Sequence, residues 1–453
     1  MSDLKPRYYL LAASQIADDP RVRRMGDRLH AMGRDVTGIG LAGARSAPPD
    51  WPILSVSLPE RVVTQTIAAK LERKLVSLAV SPMIPAAALL DMAGSAHAGS
   101  VRDIRTRIRS LNRPVPGLLR AAERRLAMLR LSPEEQLYAR FWRMWPAAGV
   151  LRAAAQGLPG PAIFVANDWQ MLPVAAAAAE EAGGITVYDS HELATEEYAE
   201  RPEWRRAVRP VVAGIESRYV ENARVISSVS PGISAHLQKA YGVSAPHFTL
   251  RNAPAYQPTP FRPAGRPIRV LYHGIVAPGR GLEASIESVA RWPADFSLTI
   301  RGPSSLPGYT EQLTALAAAK GVASRVMLAP PVAMTALVAE ARPFDIGLMA
   351  LPGHSLHNQF ALPNKVFEYL MAGLALAVSD LPEMATLVKE TGAGFLVGDG
   401  SAAAIAAAIN ALDPAVLDAQ RARALEAAKI YNWETESASV IDAYESAFRA
   451  AIG

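Results

Sequence analysis

The chain has 453 residues, half of them hydrophobic and a fifth charged, which describes a globular protein larger than one core usually grows, so two domains are expected. It contains no cysteine, which excludes disulfides and thiolate metal sites and fits a reducing compartment, the cytosol first. The formal net charge of +5 is unevenly spread: between Arg61 and Arg152 stand 16 Lys and Arg against 6 Asp and Glu, so the basic character belongs to one region.

The opening "MSDLKPRYYLLAASQ" has a short apolar run with no cleavage-like segment after it and reads as a first buried strand, not a signal peptide. "DPRVRRMGDRLHAMG" follows as a helix, with Pro20 in its first turn and Gly33 after its last, and "VTGIGL" is the next strand. From about Trp51 to Gly157 the alternation gives way to Arg-rich amphipathic helices such as "VRDIRTRIRSL" and "GLLRAAERRLAMLRL". The apolar window Leu75 to Ala93 is interrupted by Pro82 and Pro85, and spanning a membrane takes about 20 apolar residues, so no transmembrane helix is expected.

The strand–helix rhythm then returns with "AIFVAND", "LPVAAAAAEEAGG", "ITVYDS", "ARVISSVS" and "PGISAHLQKAYG". Residues 253–267, rich in proline and without periodicity, read as a linker. A second series of strands follows: "IRVLYHGI", "FSLTIRGP", "RVMLAP", "FDIGLMAL", "ALAVSD" and "GFLVGD". The final "IYNWETESASVIDAYESAF" reads as an amphipathic helix in which Trp433 is a packing anchor. The expected architecture is α/β: two Rossmann-like, doubly wound parallel-sheet domains (1–252 and 268–430) facing a central cleft. A basic helical insertion occupies about 55–157, and 431–453 is expected as a C-terminal helix crossing back to the N-terminal domain. In such sheets ligands sit at the carboxyl ends of the strands, which places the site in the cleft.

The stretch "ALPNKVFEYLMAGLALAVSD" carries the most specific chemistry. A helix beginning at Leu362 or Pro363 puts Lys365 and Glu368 on one face, one turn apart, before Gly373 stops it. The free N–H groups at its start, with Lys365, suit a phosphate; Glu368, one turn in, suits sugar hydroxyls such as a ribose diol. An ordinary solvated Lys–Glu pair is the plainer alternative for so short a motif.

This block resembles the donor site of GT-B glycosyltransferases of the large retaining family called family 4, also described as glycosyl transferases group 1. "DDPRVRRMGDRLHAMGRDVTGIGL", "FVANDWQMLPVAAAAAEEAGGITVYDSHELATEEYAE", "VISSVSPGISAHLQKAYG" and "YHGIVAPGRGLEASIESVA" are similar to other segments of that family, in the same order. The resemblance implies that Arg280, Lys365 and Gly274 bind the donor diphosphate, that Glu368 binds the ribose, and that His191 lies at the reacting centre as the catalytic candidate. It assigns Asp19, Arg21 and Asp168 to the acceptor side, although Asp19 and Asp168 read equally well as helix caps. Gly281 is a further candidate for close backbone approach to the phosphates.

Two departures stand out: Phe360 occupies a position where many members have a glutamate, and Ile275 one where they have an arginine. A third, Ala375 in place of a proline, is minor. The reaction implied is metal-independent transfer of a sugar from a nucleoside-diphosphate sugar, with retention, to a glycan or lipid-linked acceptor, in bacterial surface polysaccharide or glycolipid synthesis. The nucleotide-sugar is substrate, and no cofactor is implied. The basic helices suit peripheral contact with an anionic membrane on the cytoplasmic face; nucleic acid is not expected, since no recognition module accompanies the charge. A nucleotide-sugar epimerase of the same fold and a non-catalytic partner of another transferase are the rival readings. A dinucleotide oxidoreductase is disfavoured, because no GxGxxG follows the first strand.

Overall fold

The computed structural model describes residues 5–58 and 131–453. The first sheet is built from β1 (Arg7–Ala12), β2 (Asp35–Leu41), β3 (Ile53–Val56), β4 (Ala162–Asn167), β5 (Ile185–Ser190), β6 (Ala223–Ser228) and β7 (His247–Thr249), in the order β3-β2-β1-β4-β5-β6-β7. The second contains β8 (Ile268–His273), β9 (Phe296–Arg301), β10 (Val326–Ala329), β11 (Ile346–Met349), β12 (Ala375–Val378) and β13 (Gly394–Leu396), in the order β10-β9-β8-β11-β12-β13. Every pairing is parallel. Parallel strands need crossover connections and cover on both faces, which explains why β1, β4, β5, β11 and β12 read as near-continuous apolar runs.

Strand order reverses between β1 and β4 in one sheet and between β8 and β11 in the other. At these two switch points the outgoing loops diverge to opposite faces and leave a crevice at the carboxyl ends. The loops carrying Asp19, Asp168 and His191 leave the first sheet at β1, β4 and β5, and the loop carrying Gly274 and Arg280 leaves the second at β8.

The helices are set by local signals. Asp19 accepts from the backbone N–H of Arg21 and Val22, both at 3.2 Å, and caps the helix Pro20–Ala31. Helix Asn364–Ala372 begins one or two residues later than the sequence suggests, because Pro363 adopts an extended ψ of 140° and serves as the residue before the first turn. Its stop, Gly373, has φ 74°, the left-handed conformation that glycine takes without a Cβ penalty. Short strands β3 and β7 lie at the sheet edges and are absent from the sequence reading.

Of the described residues, 57–58 and 131–147 fall in a unit separate from the one that holds both sheets. These include the whole helix Pro133–Met144, which opens with a Ser132–Glu135 capping box. The Arg-rich helices expected over 101–130 lie outside the described residues. Among the described residues no single helix is long and apolar enough to cross a membrane.

The chain passes between the two lobes twice, at 251–267 and again just before the last helix, Trp433–Ile452. That helix packs on the first sheet: Trp433, Val440, Ile441, Tyr444 and Phe448 share a core with Tyr8, Leu10, Val165 and Val187. The two passages touch, since the Trp433 N–H donates to the Pro254 carbonyl at 2.9 Å and Glu434 accepts from the Tyr256 N–H at 3.0 Å. The Trp433 indole, 2% exposed, donates to the Arg24 carbonyl at 2.9 Å. Trp433→Ala should therefore cost about 3–5 kcal/mol of stability by cavity formation; urea unfolding followed by circular dichroism measures it.

Candidate active site

The first-lobe half is organised by a buried ion pair. Arg21 donates from Nε and Nη2 to the two oxygens of Asp189 at 2.7 and 2.6 Å, and from Nη1 to the Leu250 carbonyl at 2.7 Å. Both side chains are about 2% exposed. A forked, two-bond pair of this kind offsets the desolvation of both charges, whereas removing one partner leaves the other uncompensated and costs about 3–5 kcal/mol. Burial alone would raise the Asp189 carboxyl, but Arg21 and His191 outweigh it and hold it well below the usual range.

His191 stands between two carboxylates. Its Nε2 is 3.4 Å from Asp189 and its Nδ1 3.3 Å from Asp168, whose other oxygen accepts the His191 backbone N–H at 2.9 Å. Burial disfavours the imidazolium, yet the two acids more than compensate, and its pKa is pushed up to about 9. Asp168 reaches this position from a strained backbone, φ 65° and ψ 160°, a region that non-glycine residues rarely occupy.

In the second lobe Gly274 ends β8 at φ 132°. A Cβ there would overlap Lys365 Cε, so the glycine is required for the lysine side chain to lie across the loop. Burial and then the Arg280 charge lower the Lys365 pKa, so the two cations are near enough for one charge to act on the other. No side chain caps helix Asn364–Ala372 or helix Leu282–Val289, which begins just after Arg280. Both helix N-termini thus keep free donors beside the cations. Gly281 serves a different end: with φ 74° it lets the chain press against the Ala350 carbonyl, where a Cβ would clash.

Glu368 is 2% exposed. Its Oε2 is 2.8 Å from His273 Nε2, and its Oε1 is 4.0 Å from Nη2 of Arg24, which reaches over from the first lobe. Burial would raise its pKa, but His273, Arg24 and Lys365 together lower it, so the group is a carboxylate.

The structure brings Arg280, Lys365, Gly274 and Glu368 to one end of the second sheet, and His191 and Asp168 to the facing end of the first. Arg21 does not join them at the acceptor edge as the sequence reading expected: sealed behind Asp189, it holds His191 in place indirectly. Asp19 is the helix cap, with its second oxygen taken by the Ser14 hydroxyl at 2.8 Å. Asp168 makes no side-chain cap on the turn it precedes and instead fixes His191. Sequence reasoning missed Asp189, although an acid inside the apolar strand "ITVYDS" was a signal that it needed a buried partner. It also missed Arg24, His273, Glu192 and His357, whose partners are remote in sequence.

Phe360 and Ile275 have structural accounts. The Phe360 carbonyl accepts from the Ser230 hydroxyl at 2.7 Å, and its ring packs where a side chain on Gly232 would stand, so it serves contact between the lobes. Nearby, Glu383 accepts from the Gly232 N–H at 2.7 Å. Ile275 is half exposed and contributes its carbonyl to the Tyr272 hydroxyl at 2.9 Å.

Residues 267–413 match the family model described as glycosyl transferases group 1. No curated protein matches the chain by sequence. Among solved structures, sucrose-phosphate synthase from Thermosynechococcus elongatus is similar over 98% of this chain and 100% of its own, with a TM-score of 0.66 at 16% identity. HepE from Anabaena, in complex with UDP-glucose, is similar over 97% and 100%, with a TM-score of 0.62 at 13% identity. An α,α-trehalose-phosphate synthase (UDP-forming) from Burkholderia vietnamiensis gives the same coverage, with a TM-score of 0.58 at 13% identity. At these identities the likeness is one of fold, and the fold is GT-B: two parallel-sheet α/β domains of the kind glycosyltransferases share.

The raised pKa of His191 has a stability consequence. A group with a folded pKa near 9 and an ordinary value of 6.5 contributes stability that is complete below about pH 6.5 and lost as pH rises through about 9. Glu192 titrates in the same window, so the comparison with a variant isolates the imidazolium. The urea midpoint of the wild type should fall across this range more than that of His191→Gln.

Proposed function

We propose that the chain is a retaining glycosyltransferase that moves a sugar from a nucleoside-diphosphate sugar to an acceptor hydroxyl. The observation that carries this reading is that Lys365, packed against Gly274, and Arg280, whose charge lowers the Lys365 pKa, each stand at an uncapped helix start. Two like charges held together in a partly buried place repel each other unless an anion sits between them, and a diphosphate supplies that anion. Glu368 Oε1 is too far from Arg24 for a hydrogen bond and is free to accept one from a ribose hydroxyl.

In the reaction the bond from the anomeric carbon to the diphosphate oxygen breaks, and a bond to the acceptor oxygen forms. Charge grows on the leaving diphosphate, where Arg280, Lys365 and the helix N–H groups stabilise it without calling on a metal ion. His191, charged and locked between two acids, is not a proton acceptor at neutral pH. The acceptor proton passes instead to a phosphate oxygen of the departing nucleotide, on the face from which the leaving group departs, which gives retention. The acceptor approaches along the first-lobe strand ends, where Asp168 keeps a third of its side chain exposed. A glycan or lipid-linked acceptor at the cytoplasmic face of a membrane, in surface polysaccharide or glycolipid synthesis, fits the basic region between Arg61 and Arg152.

Calorimetric titration with UDP, GDP, ADP and dTDP, followed by transfer assays with the corresponding glucose conjugates, tests the reading. One nucleotide should bind, and Lys365→Ala and Arg280→Ala should each weaken it about tenfold or more, since charge-assisted bonds to phosphate contribute about 1.5–3 kcal/mol. Gly274→Ala, which leaves both charges but displaces the Lys365 stem, should weaken it as well. Unchanged affinity in all three would reject this placement of the diphosphate.

A further inference from the structure

Two acids of the first lobe face the cation pair without neutralising it. Glu192, next to His191, extends from the loop after β5 until its Oε2 is 3.4 Å from Nε2 of His357 in the second lobe. Glu197 stands close enough for the two carboxyl groups to repel, and the Arg280 charge acts on Glu192, Glu197 and His357 alike. This is one cluster, contributed by both lobes and within reach of the Arg280 charge.

The protonation states suit an uncharged ligand. Burial, then Glu197 and Asp168, push the Glu192 carboxyl up to about 8, and burial raises Glu197 too. Burial and Arg280 push His357 down to about 4, so its imidazole is neutral. Half of the Glu192 side-chain surface is open, and the neighbouring Glu197 and Asp168 charges favour its protonated form. A protonated Glu192 carboxyl and a neutral His357 imidazole offer both donors and acceptors, and they do not repel a neighbouring diphosphate. Phe360, three residues after His357, offers no polar side-chain group and is engaged with Ser230 and Gly232.

We propose that Glu192 and His357 hold the hydroxyls of the transferred sugar, and so determine which sugar the donor carries. This rests on the donor reading above. A polyhydroxylated ring joined to a diphosphate matches the arrangement: charge against Arg280 and Lys365, neutral hydrogen bonds against the Glu192–His357 wall. Such a wall discriminates strongly, because a sugar lacking the matching hydroxyl leaves buried polar groups unpaired.

The test compares two probes on one protein: the nucleoside diphosphate that binds in the titration above and its glucose conjugate. Glu192→Ala and His357→Ala should each lose about tenfold in affinity for the conjugate while binding the free diphosphate within about twofold of the wild type. Glu192→Gln, which keeps a donor and an acceptor, should recover most of the loss. Binding of the free diphosphate also reports that each variant is folded. Conjugate affinity unchanged in both alanine variants, or an equal loss for both probes, overturns the inference alone; a wild type that binds no nucleoside diphosphate overturns the donor reading and this inference together.

Discussion

The Arg21–Asp189 pair holds together parts of the first lobe that are remote in sequence. Arg21 begins a helix, Asp189 ends β5, and the Leu250 carbonyl that completes the guanidinium's bonding lies just before the passage into the second lobe. Enclosing such a pair costs desolvation, and breaking it would leave a buried charge uncompensated, so the three segments are held to one another through the guanidinium. The Ser227 hydroxyl also donates to Asp189, at 2.7 Å, and interacts with the Tyr444 hydroxyl at 2.9 Å, which brings the last helix under the same constraint.

His191 inherits its position from that pair. With Asp189 on one side and Asp168 on the other, the imidazolium is fixed in orientation and charge, and Glu192 beside it is directed toward the opposite lobe. The second lobe achieves order by absence of side chains: Gly274 makes room for Lys365, and Gly302 makes room for the Gly274 carbonyl. One half of the cleft is thus built from paired charge and the other from close backbone approach, and the two halves differ in what they can bind.

Much of the fold was legible in the sequence because buried parallel strands are apolar throughout and their helices carry caps and glycine stops. β5 reads from Ile185 to Ser190 in sequence and in structure alike. β3 and β7 escaped because they are short edge strands with half-exposed residues, which give neither an apolar run nor an alternation. The site was legible where its residues share one helix, as Lys365 and Glu368 do. It was illegible where function depends on partners far apart: Arg21 with Asp189, separated by 168 residues, or Arg24 with Glu368, leaves no periodic trace. Arg21 was misplaced for this reason, since an arginine beside a helix start looks available until its partner is known.

The double passage between the lobes bears on how the cleft can move. Because the segment at 251–267 and the start of the last helix are hydrogen-bonded to each other, the two covalent connections between the lobes lie side by side and act as one double-stranded pivot. A joint of that kind resists sliding of one lobe past the other and leaves swivelling as the soft motion. Angular travel there is amplified with distance from the pivot, so a small torsion near Pro254 and Trp433 becomes a large displacement at the far rim of the cleft.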